Sequence, residues 1–569
     1  MTPRDAWGIH GGRQAASRRA AVSAGHPLAA AAGLEVLAAG GNAVDAVVAG
    51  AFTAHVVEPN NASIAGYGHF SAYVAAEDRF LTVDHNPRAP RRARADMYTP
   101  ILDPPPEAHD WPGVEGDANA VGSLAVAVPG AVRGLHAAHS NAGRLPWADV
   151  LAPAIRAAEE GVEVTWYLLV LIASRLEAIR ARPNTARLLL PGGELPRAAS
   201  EEGPGTRLDQ SELAGVLRRI AVEGPDAFHR GAVAEAIAAE IAAGGGLVDA
   251  QDLGDYEPLV LDEEPRTYRG LSYVTSNDTV GYEALNILEG FPLGDYRAGS
   301  AEHLHLMAEA TGHAFVDSLT WYGDPEHVPS PVAGLTSKEY AAARAAGIAL
   351  DRVAPRPLAA ADPWPFDPSP APSGAAPSQS AGGTHGTSMV TAADAEGNVA
   401  AIITTIGSDF GSLIVVPGTG IVLNNSMMNF DPRPGHTNSI APGKMPFFAV
   451  PAIVAARDGR GVLAVAGAGG YPILSGVLHT TVGVVDHGLG VQDAIDQPRV
   501  HSQGGATHVD SLVDPHVRAR LAAIGHELVV QETDPGSLAF SRVSAVTVDG
   551  DGTIAAGSGP SWHAAAGGL

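Results

Sequence analysis

Apolar positions in the first half of the chain recur with helical spacing. Residues 27–57 carry Ala, Leu and Val at intervals of three and four, and Gly40-Gly41-Asn42 interrupts the pattern. Glycine commonly ends a helix and asparagine commonly caps the next one, so this segment is predicted to be a helical hairpin. The same spacing returns from 143 to about 250, which predicts a mostly helical region there.

The pattern changes in the second half of the chain. Residues 352–383 are rich in Pro, Ala and Ser, and they are predicted to form a mobile linker because they carry too little apolar surface to order themselves. Short β-rich runs follow, among them NVAAIITTI and GVLAVAGA. The apolar stretch 461–478 is broken by Gly467, Gly469, Gly470 and Pro472, so it is predicted to be strand, loop and helix rather than a membrane span.

The most informative pattern begins directly after the linker. A strand that starts at Gly386 turns near Glu396 and returns from Val399 to Ile406, which is typical of a β-hairpin. A symmetric register about that turn places Thr387 opposite Thr405, where the two hydroxyls can hydrogen-bond. Threonine is also an ordinary strand residue, so residue types alone favour a structural role for the pair.

Charge and composition exclude several classes of function. Lys+Arg number 36 and Asp+Glu number 62, giving a net charge of −26, which opposes binding to nucleic acid or to anionic membranes. The chain has no cysteine, so neither a thiolate nucleophile nor a disulfide is available. The N-terminus lacks the apolar run of a signal peptide, and a cytoplasmic location is therefore expected.

Cleavage between Gly386 and Thr387 would give the threonine a chemistry of its own. The new α-amine would stand beside the hydroxyl of the same residue, and an α-amine has a pKa of about 8. Such an amine can take the hydroxyl proton near neutral pH, so the nucleophile needs no histidine.

The chain resembles the γ-glutamyltranspeptidase family of N-terminal-nucleophile hydrolases along almost its whole length. The blocks that carry the resemblance are HPLAAAAGLEVLAAGGNAVDAVVAGAFTAHVVEP (26–59), VPGAVRGL (128–135), GRLPWADVLAPAI (143–155), GGGLVDAQDLGDY (244–256), HLMAEA (305–310), GDP (323–325), GTSMVTAADAEGNVAAIITT (386–405), GIVLNN (420–425), AGAGG (466–470) and QPRVH (497–501).

The resemblance implies an α+β fold, a four-layer αββα sandwich, and a precursor that cuts itself. The large subunit would be residues 1–386, ending in the linker 352–383, and the small catalytic subunit would be residues 387–569. The two subunits would form one intertwined fold, and a homodimer of the whole is compatible with the sequence.

Family residues transfer to several positions of the catalytic centre. Alignment on the Gly397-Asn398 turn puts Thr387 at the nucleophile, although Thr384 is a competing assignment. Thr405 matches the family's second threonine, and Gly469-Gly470 matches the pair whose N–H groups face the oxyanion.

The groups with which the family holds a γ-glutamyl substrate are replaced in this chain. Asn86 stands at the position of the carboxylate-binding arginine, for which Arg88 is the nearest substitute. Gly407 replaces an asparagine, Asn429 replaces the acidic partner of the amine, and Ser426 replaces a glutamine nearby.

Phe447 and Phe448 fall where the family has two serines. Burying a zwitterion without paired charges costs several kcal/mol, so a small amide with a less charged, partly apolar acyl group is the expected substrate. Whether the phenylalanines line the pocket or belong to the core stays open, as does hydrolysis against transfer to an amine. A true γ-glutamyl enzyme with a rebuilt clamp, and an unprocessed binding protein, are the alternatives.

His305, Glu309, His313 and Asp317 recur every four residues. Four ligands spread along one straight helix cannot converge on one ion, so an ordinary polar helix face is favoured and no metal is predicted. No nucleotide or dinucleotide fingerprint occurs in the sequence, and no cofactor is expected.

Overall fold

The structure is a computed structural model, and it describes residues 13–103, 111–200, 203–276, 278–371, 386–532, 540–559 and 564–569.

The β-strands of these residues are numbered in chain order. They are β1 (Gln14–Ser17), β2 (Ala20–Ala24), β3 (Tyr67–Val74), β4 (Arg79–Asp84), β5 (Val162–Glu163), β6 (Arg207–Leu208), β7 (Leu259–Asp262), β8 (Arg266–Tyr268), β9 (Leu271–Val274), β10 (Gly386–Asp394), β11 (Val399–Gly407), β12 (Ile453–Arg457), β13 (Arg460–Ala468), β14 (Val500–Ser502), β15 (Thr507–Asp510), β16 (Leu528–Gln531), β17 (Arg542–Val548), β18 (Ile554–Ser558) and β19 (Ala565–Gly568).

The α-helices are numbered in the same way. They are α1 (Pro27–Ala38), α2 (Ala43–Val57), α3 (Ala131–Ala142), α4 (Trp147–Glu160), α5 (Trp166–Ser174), α6 (Leu176–Arg180), α7 (Pro183–Leu189), α8 (Ser211–Glu223), α9 (Asp226–His229), α10 (Gly231–Ala243), α11 (Ala250–Asp255), α12 (Thr279–Glu289), α13 (Ala301–Trp321), α14 (Val332–Leu335), α15 (Lys338–Ala345), α16 (Pro472–Val485), α17 (Val491–Ile495) and α18 (Pro515–Ala523).

Two stacked antiparallel sheets form the centre of the molecule. Sheet I has the strand order β19-β2-β10-β11-β3-β4-β7, and sheet II has the order β1-β18-β17-β13-β12-β9-β8. Helices α1, α2 and α3 cover the outer side of sheet I, and α12, α16 and α17 cover the outer side of sheet II. The order of layers is therefore helix, sheet, sheet, helix, and the expected α+β αββα sandwich is confirmed.

The predicted helical hairpin is present as α1 and α2. Asn42 caps α2 by accepting from the Asp45 N–H at 3.0 Å, and the Asp45 carboxylate accepts from the Asn42 N–H at 3.0 Å. This reciprocal capping box satisfies N–H groups that the first helical turn leaves unpaired. Gly40 has a φ of 97° at the turn between the helices, a conformation that glycine adopts readily.

The hairpin β10–β11 has the predicted register, with Thr387 directly opposite Thr405. Both strands are buried on both faces, and their side chains alternate between two cores. Val390 and Ile402 pack towards the helices that cover sheet I. Met389 and the side chains in step with it face sheet II, so the two threonines point into the space between the sheets.

Residues 352–371 contradict the prediction of a mobile linker. The Ala361 N–H donates to Asp317 at 2.9 Å, the Ala361 carbonyl accepts from Trp321 Nε1 at 2.7 Å, and Leu358 is buried. The prediction was wrong because side chains of α13 supply the polar partners that a Pro/Ala-rich segment cannot supply for itself. The remaining linker residues, 372–383, lie outside the described residues. We call residues 349–367 the strap.

The polar side chains that recur every four residues along α13 are buried beneath the strap and are not exposed to solvent. Glu309 pairs with Arg356 of the strap, and His305 Nε2 hydrogen-bonds to the Ala349 carbonyl at 2.9 Å. Asp317 also binds Arg344, at 2.8 Å. These polar side chains therefore hold the strap against α13.

Candidate active site

The two threonine hydroxyls lie side by side in the buried space between the sheets. Thr387 Oγ1 donates to Thr405 Oγ1 across 3.5 Å. Thr405 Oγ1 also accepts from the Gly407 N–H at 2.9 Å and donates its own proton to the carbonyl oxygen of Gly386. A hydroxyl has one proton to give and two lone pairs, so these three contacts use Thr405 fully and fix its orientation.

The Gly386–Thr387 peptide is held tightly at the start of β10. The pairing of β10 with β11 shifts register between these two residues. A side chain at Gly386 would bring its Cβ within 2.8 Å of the Asn60 carbonyl, so only glycine fits. The carbonyl of this peptide accepts a hydrogen bond from the Thr405 hydroxyl.

Two buried ionisable residues that the sequence reasoning missed, Glu58 and Arg542, lie near the start of β10. Arg542 Nη2 donates to the Thr387 carbonyl at 2.9 Å. The Glu58 carboxylate accepts from the Ser388 hydroxyl and, at 3.0 Å, from Asn61. Burial raises the pKa of Glu58, and the nearby charge of Arg542 opposes that rise. These groups come from distant parts of the chain, and only the position of Glu58 within the block 26–59 hinted at a role.

Gly469 and Gly470 directly follow β13 of sheet II, which packs against β10. They directly follow Ala468, which pairs in register with Arg542, and Arg542 contacts Thr387. Their φ values are 122° and 74°, both in the region that favours glycine. The oxyanion-binding role of this pair stays a prediction.

Asn429, Ser426 and Tyr67 form a polar group next to Thr405. Asn429 Nδ2 donates to the Tyr67 hydroxyl and to Ser426 Oγ, each at 3.0 Å. Tyr67 lies opposite Thr405 in sheet I. Burial raises the pKa of Tyr67 to about 12, although hydrogen bonds with Ser426 and Asn429 oppose the rise. Tyr67 therefore stays protonated at any physiological pH.

Gly407 has a conformation that excludes most other residues. Its φ is 98°, and an added Cβ would lie 2.0 Å from Asn425 Oδ1. The asparagine that the family places at this position therefore has no space here.

A narrow pocket lies close to Tyr67. Its lining includes His69, Asp84, Asn86, Asp278, Phe447 and Phe448. Phe448 packs on the Tyr67 ring with 5.1 Å between centroids, and Phe447 packs on Tyr471 at 6.4 Å. Tyr67 is opposite Thr405 in sheet I and Tyr471 follows Gly470, so the two phenylalanines pack on neighbours of the threonine pair and of the glycine pair.

The two phenylalanines both belong to the core and line the pocket. They are almost fully buried, and they pack among the side chains between the sheets. The two interpretations of the sequence therefore describe the same residues. Arg88, in contrast, is not among the lining residues, because its guanidinium binds Glu326 at 3.0 Å and the Gly443 carbonyl at 3.3 Å.

Among the described residues, His305, Glu309 and His526 bring possible metal-ligand atoms within 4.8 Å of one another. Their atoms are already engaged. His305 Nδ1 and His526 Nε2 share a hydrogen bond of 2.8 Å, His526 Nδ1 binds Thr507 at 2.9 Å, and Glu309 pairs with Arg356. The group therefore has the contacts of a structural network.

Two stacked sheets between helical layers, with a buried threonine at the start of a central strand, define the architecture of N-terminal-nucleophile hydrolases. The profile described as gamma-glutamyltranspeptidase matches residues 29–569. The chain belongs to the γ-glutamyltranspeptidase family.

Relatives within this family include both acylases and glutathione hydrolases. The chain is 37% identical to the acylase ACY 1 proenzyme of Pseudomonas sp. (strain V22) over 547 residues, covering 95% of this chain and 92% of the relative. It is 32% identical to the glutathione hydrolase proenzyme of Pseudomonas sp. (strain A14) over 520 residues, covering 87% and 84%. The crystal structure of cephalosporin acylase from Bacillus halodurans superposes with a TM-score of 0.82 at 27% identity, covering 98% and 97%.

Within the described residues, no helix has both the length and the apolar character that crossing a membrane requires.

Proposed function

We propose that this chain is a precursor that cuts its own Gly386–Thr387 peptide, and that Thr387 then acts as the nucleophile of an amide hydrolase or acyltransferase with a non-γ-glutamyl substrate. The observation that carries the proposal is the hydroxyl pair, in which Thr387 Oγ1 lies 3.5 Å from Thr405 Oγ1 while Thr405 contacts the Gly386 carbonyl. The names of the relatives, acylase and glutathione hydrolase proenzymes, agree with both steps.

Self-cleavage starts with attack of Thr387 Oγ1 on the Gly386 carbonyl carbon. The C–N bond breaks, the nitrogen takes the hydroxyl proton, and Gly386 becomes an ester on Thr387. Water hydrolyses that ester and leaves a Gly386 carboxylate and a free Thr387 α-amine. The Thr405 hydroxyl stabilises the negative charge that develops on the Gly386 oxygen, a type of contact that contributes about 3 kcal/mol.

Turnover of the substrate uses the amine that cleavage releases. The amine takes the Thr387 hydroxyl proton while Oγ1 attacks the substrate amide, and the backbone N–H groups of Gly469 and Gly470 stabilise the oxyanion. The proton passes to the leaving amine as the C–N bond breaks. Water or a second amine then removes the acyl group from Thr387.

Altered specificity is supported by the pocket itself. Among the described residues the pocket lining has no Arg or Lys, so a γ-glutamyl carboxylate would be buried without a cationic partner. Leaving a buried charge unpaired costs several kcal/mol. The family relationship to glutathione hydrolases keeps a γ-glutamyl enzyme as the second candidate, and turnover of a γ-glutamyl anilide at a rate typical of enzymes would favour it.

Denaturing mass spectrometry of the purified protein tests the proposal, with Thr387→Ala as the variant. The wild-type chain is expected to give a fragment that begins at Thr387, and the variant is expected to stay intact and inactive. Removal of a nucleophile costs about 10⁶ in kcat in a serine hydrolase.

Thr384→Ala is the matched control, because Thr384 is the competing nucleophile three residues upstream. It is expected to cleave normally. An intact wild-type chain would support the binding-protein alternative, and loss of cleavage in Thr384→Ala alone would show that the nucleophile has been misassigned. A panel of amides used to trap an acyl group on the small chain would then identify the substrate by mass.

A further inference from the structure

The pocket lined by Asn86, Asp278 and the two phenylalanines is rich in hydrogen-bond acceptors. Three carboxylates line it, from Asp84, Asp278 and Asp324. The described lining residues include no lysine or arginine that could balance them. Lys444 lies near Asp324, but its ammonium is bound to the Thr437 and Ser439 carbonyls at 2.6 and 3.0 Å.

The orientation of Asn86 follows from the tautomer of His69. His69 Nδ1 lies 2.7 Å from the Ser276 carbonyl, which can only accept, so Nδ1 carries the proton. In a neutral imidazole the other nitrogen is then an acceptor. His69 Nε2 lies 2.9 Å from the Asn86 side-chain nitrogen, so Asn86 donates there and keeps its oxygen for another partner.

Two buried oxygens in this pocket have no hydrogen-bond partner among the described residues. They are Asn86 Oδ1 and Asp278 Oδ2, and both residues are nearly inaccessible to solvent. Unpartnered polar atoms of this kind are rare in folded proteins, and each calls for an explanation. Since both atoms accept, the missing partner is a donor.

The aromatic side chains of the pocket suit the same kind of partner. The Phe447 ring packs on Tyr322 with 5.9 Å between centroids, and Phe448 stacks on His69 at 5.6 Å. Aromatic faces attract cations and also accept the methylene groups that lead to them.

We propose that this pocket binds an acyl group whose far end carries a protonated amine, held by Asp278 and Asn86, with its apolar stem against Phe447 and Phe448. This inference rests on the proposed amidase function for its catalytic consequence, but the binding preference stands on the pocket alone. Asp278 is buried, and the described lining residues include no Lys or Arg to pair with its carboxylate. An ammonium group would supply both the positive charge and the hydrogen-bond donors.

Three matched p-nitroanilides test the preference on the processed enzyme. They are the 6-aminohexanoyl, heptanoyl and 5-carboxypentanoyl compounds, which differ in the terminal ammonium, methyl or carboxylate. We expect kcat/KM for the ammonium compound to exceed that of the methyl compound about tenfold and that of the carboxylate compound about 100-fold, as buried charge pairing suggests. Equal or greater turnover of either of the other two would overturn the inference.

Two variants of the pocket sharpen the test. Asp278→Asn keeps an oxygen for the Val280 N–H, which Asp278 accepts at 3.1 Å as the cap of α12, while it removes the charge. We expect it to remove the preference for ammonium over methyl. Asn86→Arg is expected to raise turnover of the carboxylate compound. Asp351→Asn, at an exposed position, is the control for loss of one acidic group.

Binding measured without turnover separates this inference from the proposed function. Hexylammonium and hexanoate are titrated by calorimetry into the uncleaved Thr387→Ala chain. Tighter binding of hexylammonium supports the inference even if no amide is hydrolysed, in which case only the amidase proposal fails. Tighter binding of hexanoate, or no binding of either ion, overturns the inference even if Thr387 is the nucleophile.

Discussion

The β10–β11 hairpin and the proposed acyl pocket differ in how completely their polar atoms are satisfied. In the hairpin, Thr405 uses its proton and both lone pairs within the protein. In the pocket, Asn86 and Asp278 each keep a buried oxygen without a partner among the described residues. The hairpin is complete before a substrate arrives, whereas the pocket lacks a donor. The proposed machinery for bond cleavage therefore depends on sheet register, and the proposed specificity depends on side chains at the ends of strands and in loops.

Removal of the Thr405 hydroxyl is the strongest test of the hairpin. Thr405→Val keeps the shape of the side chain but takes away the donor to the Gly386 carbonyl. We expect self-cleavage to slow about 10²–10³-fold, the usual effect of losing one donor to a developing oxyanion. The rate is followed by mass spectrometry of freshly made protein.

Thr404→Val is the matched control, since Thr404 lies on the opposite face of β11 and bonds to His55 at 2.7 Å. It is expected to lower stability by about 1 kcal/mol and to leave the cleavage rate unchanged. Equal slowing in both variants would contradict the role given to Thr405.

Restoring the family's asparagine at Gly407 is expected to damage the fold rather than change specificity. The new side chain would displace Asn425, which accepts from the Ser408 N–H at 3.0 Å. We expect Gly407→Asn to lower the free energy of unfolding by about 1–3 kcal/mol, measured by thermal denaturation, without gain of γ-glutamyl turnover.

Gly418→Asn gives the comparison, because Gly418 has a φ of 70° with open space around it. A smaller loss of stability in Gly418→Asn than in Gly407→Asn would show that crowding, and not backbone strain alone, destabilises the Gly407 variant. Efficient γ-glutamyl turnover by Gly407→Asn would show that the pocket has been misinterpreted.

Binding of ammonium to the pocket is expected to depend on pH. Burial raises the pKa of Asp278 to about 7, against the backbone N–H groups that begin α12. A carboxyl with a raised pKa gains its charge as the pH rises through that value, so hexylammonium should bind about tenfold more tightly at pH 8 than at pH 6. The ligand itself stays protonated, since alkylammonium groups lose their proton near pH 10.

Asp84, Asp324, Tyr322 and His69 also face this pocket, so the variant Asp278→Asn is needed to assign the effect. The pH dependence should disappear in that variant. Calorimetry measures hexylammonium binding to the Thr387→Ala chain with and without Asp278→Asn. An unchanged pH dependence in Asp278→Asn would show that another group titrates.

The smallest effect is expected at Arg88. Its partner Glu326 is largely exposed, and exposed ion pairs contribute about 1 kcal/mol or less. Arg88→Gln and Glu326→Gln should therefore change the turnover of every amide less than about twofold, measured with the anilide panel. A loss confined to γ-glutamyl substrates in Arg88→Gln would favour a rebuilt glutamate clamp.

Local patterns predicted the catalytic hairpin well because its register depends on one turn. The midpoint at Glu396 was enough to place Thr387 opposite Thr405, as the pairing has it. The helical hairpin was equally predictable, since Asn42 and Asp45 are neighbours in sequence.

Contacts between distant segments could not be predicted in this way. Arg542 reaches the Thr387 carbonyl from a strand 155 residues away. Asp278 enters the pocket only through the position of α12, and no periodicity marks it. The strap was predicted to be a mobile linker because its ordered structure depends on contacts with Glu309 and Asp317 of α13, which is distant in the sequence. In each case the local structure depends on contacts with a distant segment, which the local sequence does not encode.

The strand order of sheet I has a consequence for the lifetime of the processed protein. Strands β10 and β11, downstream of the proposed cut, lie between β2 and β3, upstream of it. The two polypeptides would thus be interleaved, and no rigid motion could part them without breaking the central ladder. Once separated by heat, they would have to find each other as independent molecules. Durability of the mature protein would then be governed by the rate at which it first opens, and inactivation would be irreversible.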